Sequence, residues 1–405
     1  MSPRSRTSPR QGSGRQRYRY ADWSRPGADA STNDMLDTDA LVADHDTRII
    51  VCCGSGGVGK TTASAALALR AAERGRKVCV LTIDPARRLA QSMGLTELDN
   101  VPRPVPGAGA DGGSLDAMML DMKRTFDEVV EAHASPQKAR QILDNPFYIA
   151  LSSSFAGTQE YMAMEKLSQL HADAAEDGRW DLIVVDTPPS RSALDFLDAP
   201  EHLSSLLDGR FIKLLLTPAK GPARFLTAGF GMVTAALNKV LGAQILTDVQ
   251  TFVAAFDTLF GGFRQRAEAT YALLQAPETA FVVVAAPEHD AIREAMYFVE
   301  RLTEEQMPLA GLVLNRMTMP DTDAIGEAEA SAAAEHLANG DADTVLVGNL
   351  LRVHADLVRA QARESRLRRR FEGAHPHVPI VPVPALAGDV HDLNGLRLVG
   401  DRLAS

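Results

Sequence analysis

Cysteine is scarce in this chain: Cys52, Cys53 and Cys79 are the only three among 405 residues. No Cys-x-x-Cys pair exists, so the composition supplies neither a disulfide framework nor a cysteine zinc knuckle. Cys52 and Cys53 are neighbours in an apolar run and point to opposite faces of a strand, which reads as reduced core thiols. Long apolar runs are missing as well. The longest uncharged one, Phe225 to Asn238, falls short of the roughly 18 residues that a membrane span requires. The Arg-rich start is followed by no apolar signal-peptide core, so a cytoplasmic protein is expected. Positive charge is in deficit, with 42 Lys and Arg against 52 Asp and Glu, a net charge of −10. A net-acidic chain is a poor partner for nucleic acid, and none is expected. What remains is 45% hydrophobic and 23% charged, ample material for a core and incompatible with wholesale disorder.

At roughly 150 residues per domain the length allows two or three domains, or one α/β domain carrying an insertion. Residues 1–46 read as a disordered tail. Seven Arg fall in the first 25 residues, then six Asp with no Lys or Arg in 27–46, and no apolar periodicity runs through them. Met35 stands as an alternative start. From Arg48 short β-branched runs alternate with Ala- and Leu-rich helical stretches, the pattern of a mostly parallel sheet flanked by helices. Strands are expected near 48–53, 77–83, 115–121, 181–186, 280–285, 309–315 and 378–382. Residues 47–405 then form one domain of the α/β class. Between Leu203 and Gln275 the texture turns helical and Gly-interrupted, which predicts an inserted helical subdomain of short helices. The stretch 321–344 predicts a surface loop and helix, and 350–372 a helix whose Arg368, Arg369 and Arg370 meet the dipole at its C-terminus.

The strongest motif is Gly54-Ser55-Gly56-Gly57-Val58-Gly59-Lys60-Thr61-Thr62, directly after the apolar strand and directly before a helical run. This is a Walker A loop in its required context. Its glycines let successive backbone N–H groups turn inward on phosphate oxygens. Lys60 adds a cation for the outer phosphates, and the Thr61 hydroxyl suits Mg²⁺. ATP is the expected substrate and Mg²⁺ the expected cofactor.

Two further strands end on acids, at the edge where α/β sheets place ligands. The run 181–186 closes on Asp186, the expected Walker B carboxylate for Mg²⁺. The run Val78–Ile83 closes on Asp84-Pro85. On its residues alone Asp84 is either a turn or helix-cap residue or a catalytic one. Its place after the strand that follows the P-loop helix favours the catalytic role. After Asp186, the segment Thr187-Pro188-Pro189-Ser190 is a candidate switch, stiffened by two prolines and open to docking by a γ-phosphate.

At these residues the sequence resembles the ArsA-like family of arsenite-pump and tail-anchored-protein-targeting ATPases, part of the deviant-Walker group of dimerising ATPases. Four segments carry the likeness: Gly54–Thr62, Thr82-Ile-Asp84-Pro-Ala-Arg-Arg-Leu89, Asp186-Thr-Pro-Pro-Ser-Arg-Ser-Ala-Leu-Asp-Phe-Leu-Asp-Ala-Pro200, and Leu312-Val-Leu-Asn315-Arg316. The stretches starting at Tyr161 and Leu197 look closest to the paired actinobacterial members. The resemblance implies that Asp84 orients the attacking water and that Asp186 is associated with magnesium. It implies adenine contacts for Asn315 and for the loop at Pro382–Leu386, and an acidic nucleotide-side residue at the dimer face for Glu288. On the residues alone, Asn315 is also a turn residue and Glu288 also a helix cap.

Departures from the family are informative too. Metalloid-sensing members use well-separated cysteines, whereas all three here sit on the first two core strands, so metalloid binding is not expected. A zinc-bridged dimer needs a Cys-x-x-Cys clasp, so no zinc is expected. Targeting members line a client groove with methionines, but Leu203–Gln275 contains Met232 alone. A groove for a protein client or membrane-protein partner would then be built from Leu and Phe. Finally, deviant-Walker members carry a second lysine where Ser55 stands, and it reaches across a dimer to the partner's phosphates. Its absence points to a heterodimer with a lysine-bearing paralogue, against a homodimer in which Arg87, Arg88 or Arg191 substitutes. Three functions follow: an ATPase coupled to dimer rearrangement and client handling, a slow or non-hydrolysing nucleotide-binding partner subunit, and the energising subunit of an anion or metalloid pump.

Overall fold

The structure, a computed structural model, describes residues 35–83, 88–146, 148–149, 152, 158–188, 265–319 and 325–404. Asp84, Pro189, Ser190 and most of the expected helical subdomain lie outside the described residues, although 265–274 at its end are helical.

Eight strands form one sheet: β1 (Ile49–Cys53), β2 (Lys77–Thr82), β3 (Arg103–Pro104), β4 (Ser114–Met119), β5 (Leu182–Asp186), β6 (Thr279–Ala285), β7 (Leu309–Met317) and β8 (Ile380–Pro384). Their order is β3-β4-β2-β5-β1-β6-β7-β8. Every expected strand is present, and all of these pair in parallel. Only β3, a two-residue antiparallel edge on β4, was not foreseen. Parallel strands are covered on both faces, so β1, β5 and β6 are buried at every position and read as unbroken apolar runs instead of alternating ones.

Among the described residues, besides the helical stretch 265–274, the helices include α1 (Thr38–Ala43), α2 (Lys60–Glu73), α3 (Arg88–Ser92), α4 (Met122–His133), α5 (Pro136–Leu143), α6 (Thr158–Asp177), α7 (His289–Glu304), α8 (Glu327–His336), α9 (Ala342–Ala374) and α10 (Leu393–Leu403). The alternating pleat of β1 divides the core in two. Ile49, Val51 and Cys53 face Phe126, Leu167 and Phe298 of α4, α6 and α7. Ile50 and Cys52 face Leu41, Ala66, Leu69 and Leu396 of α1, α2 and α10. The two neighbouring cysteines therefore do point to opposite faces. Along α2, buried Ala63, Ala65, Ala66, Ala68, Ala71 and Ala72 let the helix lie close on the sheet.

Residues 35–46, expected as part of a disordered tail, are folded instead. Leu36, Leu41 and Val42 are in the core, and Asp37 caps α1 by accepting from the Ala40 amide at 2.8 Å. The acidic stretch finds cations that its own sequence lacks. Arg70 of α2 bonds Asp39 with both Nε and Nη2, and Arg74 adds a third contact. The Arg70 guanidinium holds the Asp39 carboxyl below its ordinary range, against the opposing effect of burial. Helix α9 runs past the expected end at residue 372 to Ala374, and its last turn has no basic residue. Arg368 instead pairs with Glu372 at 2.7 Å, one turn on along the helix.

Because the long strands are parallel, their carboxyl ends share one edge of the sheet. The register sets Asp186 of β5 level with Cys52 of β1 and Thr82 of β2. The P-loop, the Walker B acid and Asn315 of β7 thus converge from distant parts of the chain.

Candidate functional site

Gly54 follows β1 with φ +146°, and a Cβ there would stand 2.0 Å from the Val284 carbonyl oxygen of β6. Only glycine fits so close a backbone approach. Gly59 (φ +95°) occupies the N-cap of α2, where a Cβ would meet Asn315 Nδ2 at 2.3 Å. The N–H groups of the first α2 turn have no intrahelical acceptors, and the helix dipole adds to their pull on an anion. Gly56 and Gly57 are exposed at the loop tip, Val58 is buried, and Thr61 and Thr62 are half-buried. The Lys60 side chain is 7% exposed, and its Nζ donates to the Ser55 carbonyl oxygen at 2.7 Å, spanning the loop from end to start. Ser55 Oγ is buried and has no hydrogen-bond partner among the described residues.

Asp186 is fully buried at the end of β5. Its Oδ2 accepts from Thr61 Oγ1 at 2.7 Å and from Thr82 Oγ1 at 2.9 Å. The structure therefore brings the expected Mg²⁺ pair together and adds Thr82, which sequence reasoning missed although it opens the segment leading to Asp84. Both groups are hard oxygen donors, and Mg²⁺ is ordinarily held by one or two such groups together with phosphates and water. The donor chemistry fits that ion. Among the described residues no group of three His, Cys, Asp or Glu side chains is placed to hold a metal, and a site of this kind needs none.

Thr187 is anchored to β1: its Oγ1 and its N–H both donate to the Cys52 carbonyl oxygen, at 2.9 and 3.2 Å. Pro188 is buried beside it. The candidate switch thus starts from a fixed point. Glu288 is exposed at the N-cap of α7, and its side chain makes no capping hydrogen bond. Its position matches a cap, and its carboxylate is left at the sheet's carboxyl edge.

Asn315 sits on the bulged end of β7. Its Nδ2 donates to the Val58 carbonyl oxygen at 2.8 Å, and its Oδ1 accepts from the Arg316 N–H at 3.0 Å. This side chain, which the resemblance assigns to adenine, is hydrogen-bonded to the P-loop. Arg316, also unforeseen, donates from Nη1 to the Gly57 carbonyl oxygen at 3.1 Å. Pro382 lies in β8 at the edge of the sheet, where a missing N–H is tolerated, and pairs with Leu314. Burial pushes the Cys52 and Cys53 thiols up to about 12, and Cys79 upward as well, so all three are neutral core groups.

Comparison with known proteins agrees with this geometry. The family described as anion-transporting ATPase matches residues 47–339. Among curated relatives, the ATPase get3 of Schizosaccharomyces japonicus is 25% identical over 273 residues, covering 66% of this chain and 74% of that one. ATPase ASNA1 homolog 2 of Paramecium tetraurelia is 24% identical over 294 residues, 66% of this chain and 75% of that one. The arsenical pump-driving ATPase of Escherichia coli is 30% identical over 161 residues, 38% of this chain and 26% of the longer relative.

Proposed function

Because the chain belongs to the anion-transporting ATPase family, we propose that it couples Mg²⁺-dependent ATP hydrolysis to rearrangement of a dimer, and through it to the handling of a protein client in the cytoplasm. It is an ATP hydrolase, as the curated relatives named above are. The observation that carries the reading is the 2.7 Å contact between Thr61 and Asp186, which joins the phosphate loop to the buried acid of β5. Thr61 and Asp186 would hold the Mg²⁺, which neutralises phosphate charge when bound. Lys60 and the loop amides absorb the charge that develops on the transferring phosphate. Asp84, two residues beyond Thr82, orients the attacking water.

The similarity to ATPase get3 and the ASNA1 homologues supports a dimer that handles clients. Ser55 supports a heterodimer with a lysine-bearing paralogue, since the hydroxyl brings no cation to a partner's phosphates. The same residue favours the second reading, a subunit that hydrolyses slowly by itself. A metalloid-pump role is disfavoured, because the three thiols are buried and neutral.

Small-angle scattering of the purified chain with Mg²⁺ and either ADP or a non-hydrolysable ATP analogue tests the coupling. A dimer whose dimensions differ between the two nucleotides is expected. A monomer unchanged by either would overturn it.

A further inference from the structure

The geometry points to Arg316 as a positioning residue of the phosphate site, acting through the P-loop backbone and resting on the nucleotide reading above. Two successive loop carbonyls, of Gly57 and Val58, are taken by two successive residues of β7. Arg316 Nη1 holds the first at 3.1 Å and Asn315 Nδ2 holds the second at 2.8 Å. In a trans peptide the C=O and the following N–H point in opposite directions, and no described peptide is cis. Drawing these carbonyls toward β7 therefore turns the N–H groups of Val58 and Gly59 away from it, to join the free amides at the start of α2. The loop's donors are set before any phosphate arrives, which is how a preorganised anion site gains over a mobile one.

The backbone of Arg316 shows that this contact is built in. Its φ is +63°, one of three non-glycine residues in the left-handed region among the described residues, and it sits at the register shift between Asn315 and Met317. A left-handed arginine is strained against an ordinary strand conformation, because its Cβ crowds the backbone. That conformation accompanies side chains of adjacent residues both reaching the loop, whereas in a regular strand neighbours point to opposite faces. Gly59 belongs to the same device, because any Cβ there would collide with the Asn315 amide.

The test uses the full chain and three probes: inorganic tripolyphosphate, ATP and adenosine, followed by calorimetry. Arg316→Asn is the informative variant, since Asn tolerates the left-handed conformation and removes the guanidinium. Loss of the clasp should weaken tripolyphosphate and ATP alike, by about tenfold for one charge-assisted hydrogen bond, without changing adenosine binding or the melting temperature. Arg316→Lys, which keeps a cation of similar reach, should recover most of the loss. Unchanged tripolyphosphate affinity in Arg316→Asn would overturn the proposal, as would a loss confined to ATP, which would move Arg316 to the base side. Lys60→Ala separates the two levels. If it binds tripolyphosphate as the wild type does, the phosphate-site reading itself fails. If it loses binding while Arg316→Asn retains it, only the clasp fails.

Discussion

Thr61 Oγ1 donates to Asp186 Oδ2 at 2.7 Å, across 125 positions of sequence, and thereby joins the first turn of α2 to the end of β5. Thr82 supports the same oxygen at 2.9 Å, so the carboxylate is held from both neighbouring elements. Thr61→Val keeps the branched shape and removes the hydroxyl. It should raise the Mg²⁺ concentration for half-maximal ATP turnover by about tenfold or more, read from a Mg²⁺ titration of phosphate release. An unchanged titration would remove Thr61 from the ion's neighbourhood.

The loop glycines should differ in what they tolerate. Gly54→Ala drives a Cβ to 2.0 Å from a backbone oxygen of β6, whereas a Cβ at Gly57 meets nothing within 4 Å. The first should cost about 3 kcal/mol or more, the scale of overpacking against unyielding backbone. The second should cost about 1–2 kcal/mol, for its left-handed φ alone. Urea midpoints at constant slope decide between them, and equal losses would contradict the close packing of β1 on β6.

The buried thiols give a pH dependence of known sign. Cys52 and Cys53 are raised from an ordinary 9.0 to about 12 by burial, so the folded chain keeps protons that the unfolded chain gives up. Their contribution to stability is complete below pH 9 and is lost as pH rises toward about 12. Denaturant unfolding across that window should show wild type losing more stability than a Cys52→Ala, Cys53→Ala double variant. Parallel curves for the two would contradict it.

Asp84→Asn should leave ATP bound and slow turnover by about a hundredfold, since it alters an acceptor facing water while sparing the cradle. Equal turnover would place the water-orienting group elsewhere. Ser55→Lys should accelerate the isolated chain if the missing cation limits it. No gain in rate would favour a homodimer whose other cations serve.

How far the sequence reveals the molecule follows from interaction range. The long strands and the P-loop are written locally, as apolar runs and glycine spacing, and each falls where expected. Strand β3 is too short to show a pattern. Helix α1 becomes visible only through Arg70 and Arg74, which lie a full βα unit away from Asp39. At the site, Asp186 and Lys60 are legible from their own motifs. Thr82 is not, because nothing in its strand says which oxygen its hydroxyl meets. Arg316 is hidden for the same reason: its partner is a backbone carbonyl 259 positions distant.

The most direct measurement is phosphate release from ATP by the purified chain, with Mg²⁺ or with a chelator, beside Lys60→Ala. The wild type should turn over only with Mg²⁺, and removing the Lys60 cation should lower the rate by about a hundredfold or more. Lys60→Ala turning over at the wild-type rate, or a wild type indifferent to Mg²⁺, would contradict hydrolysis at this loop.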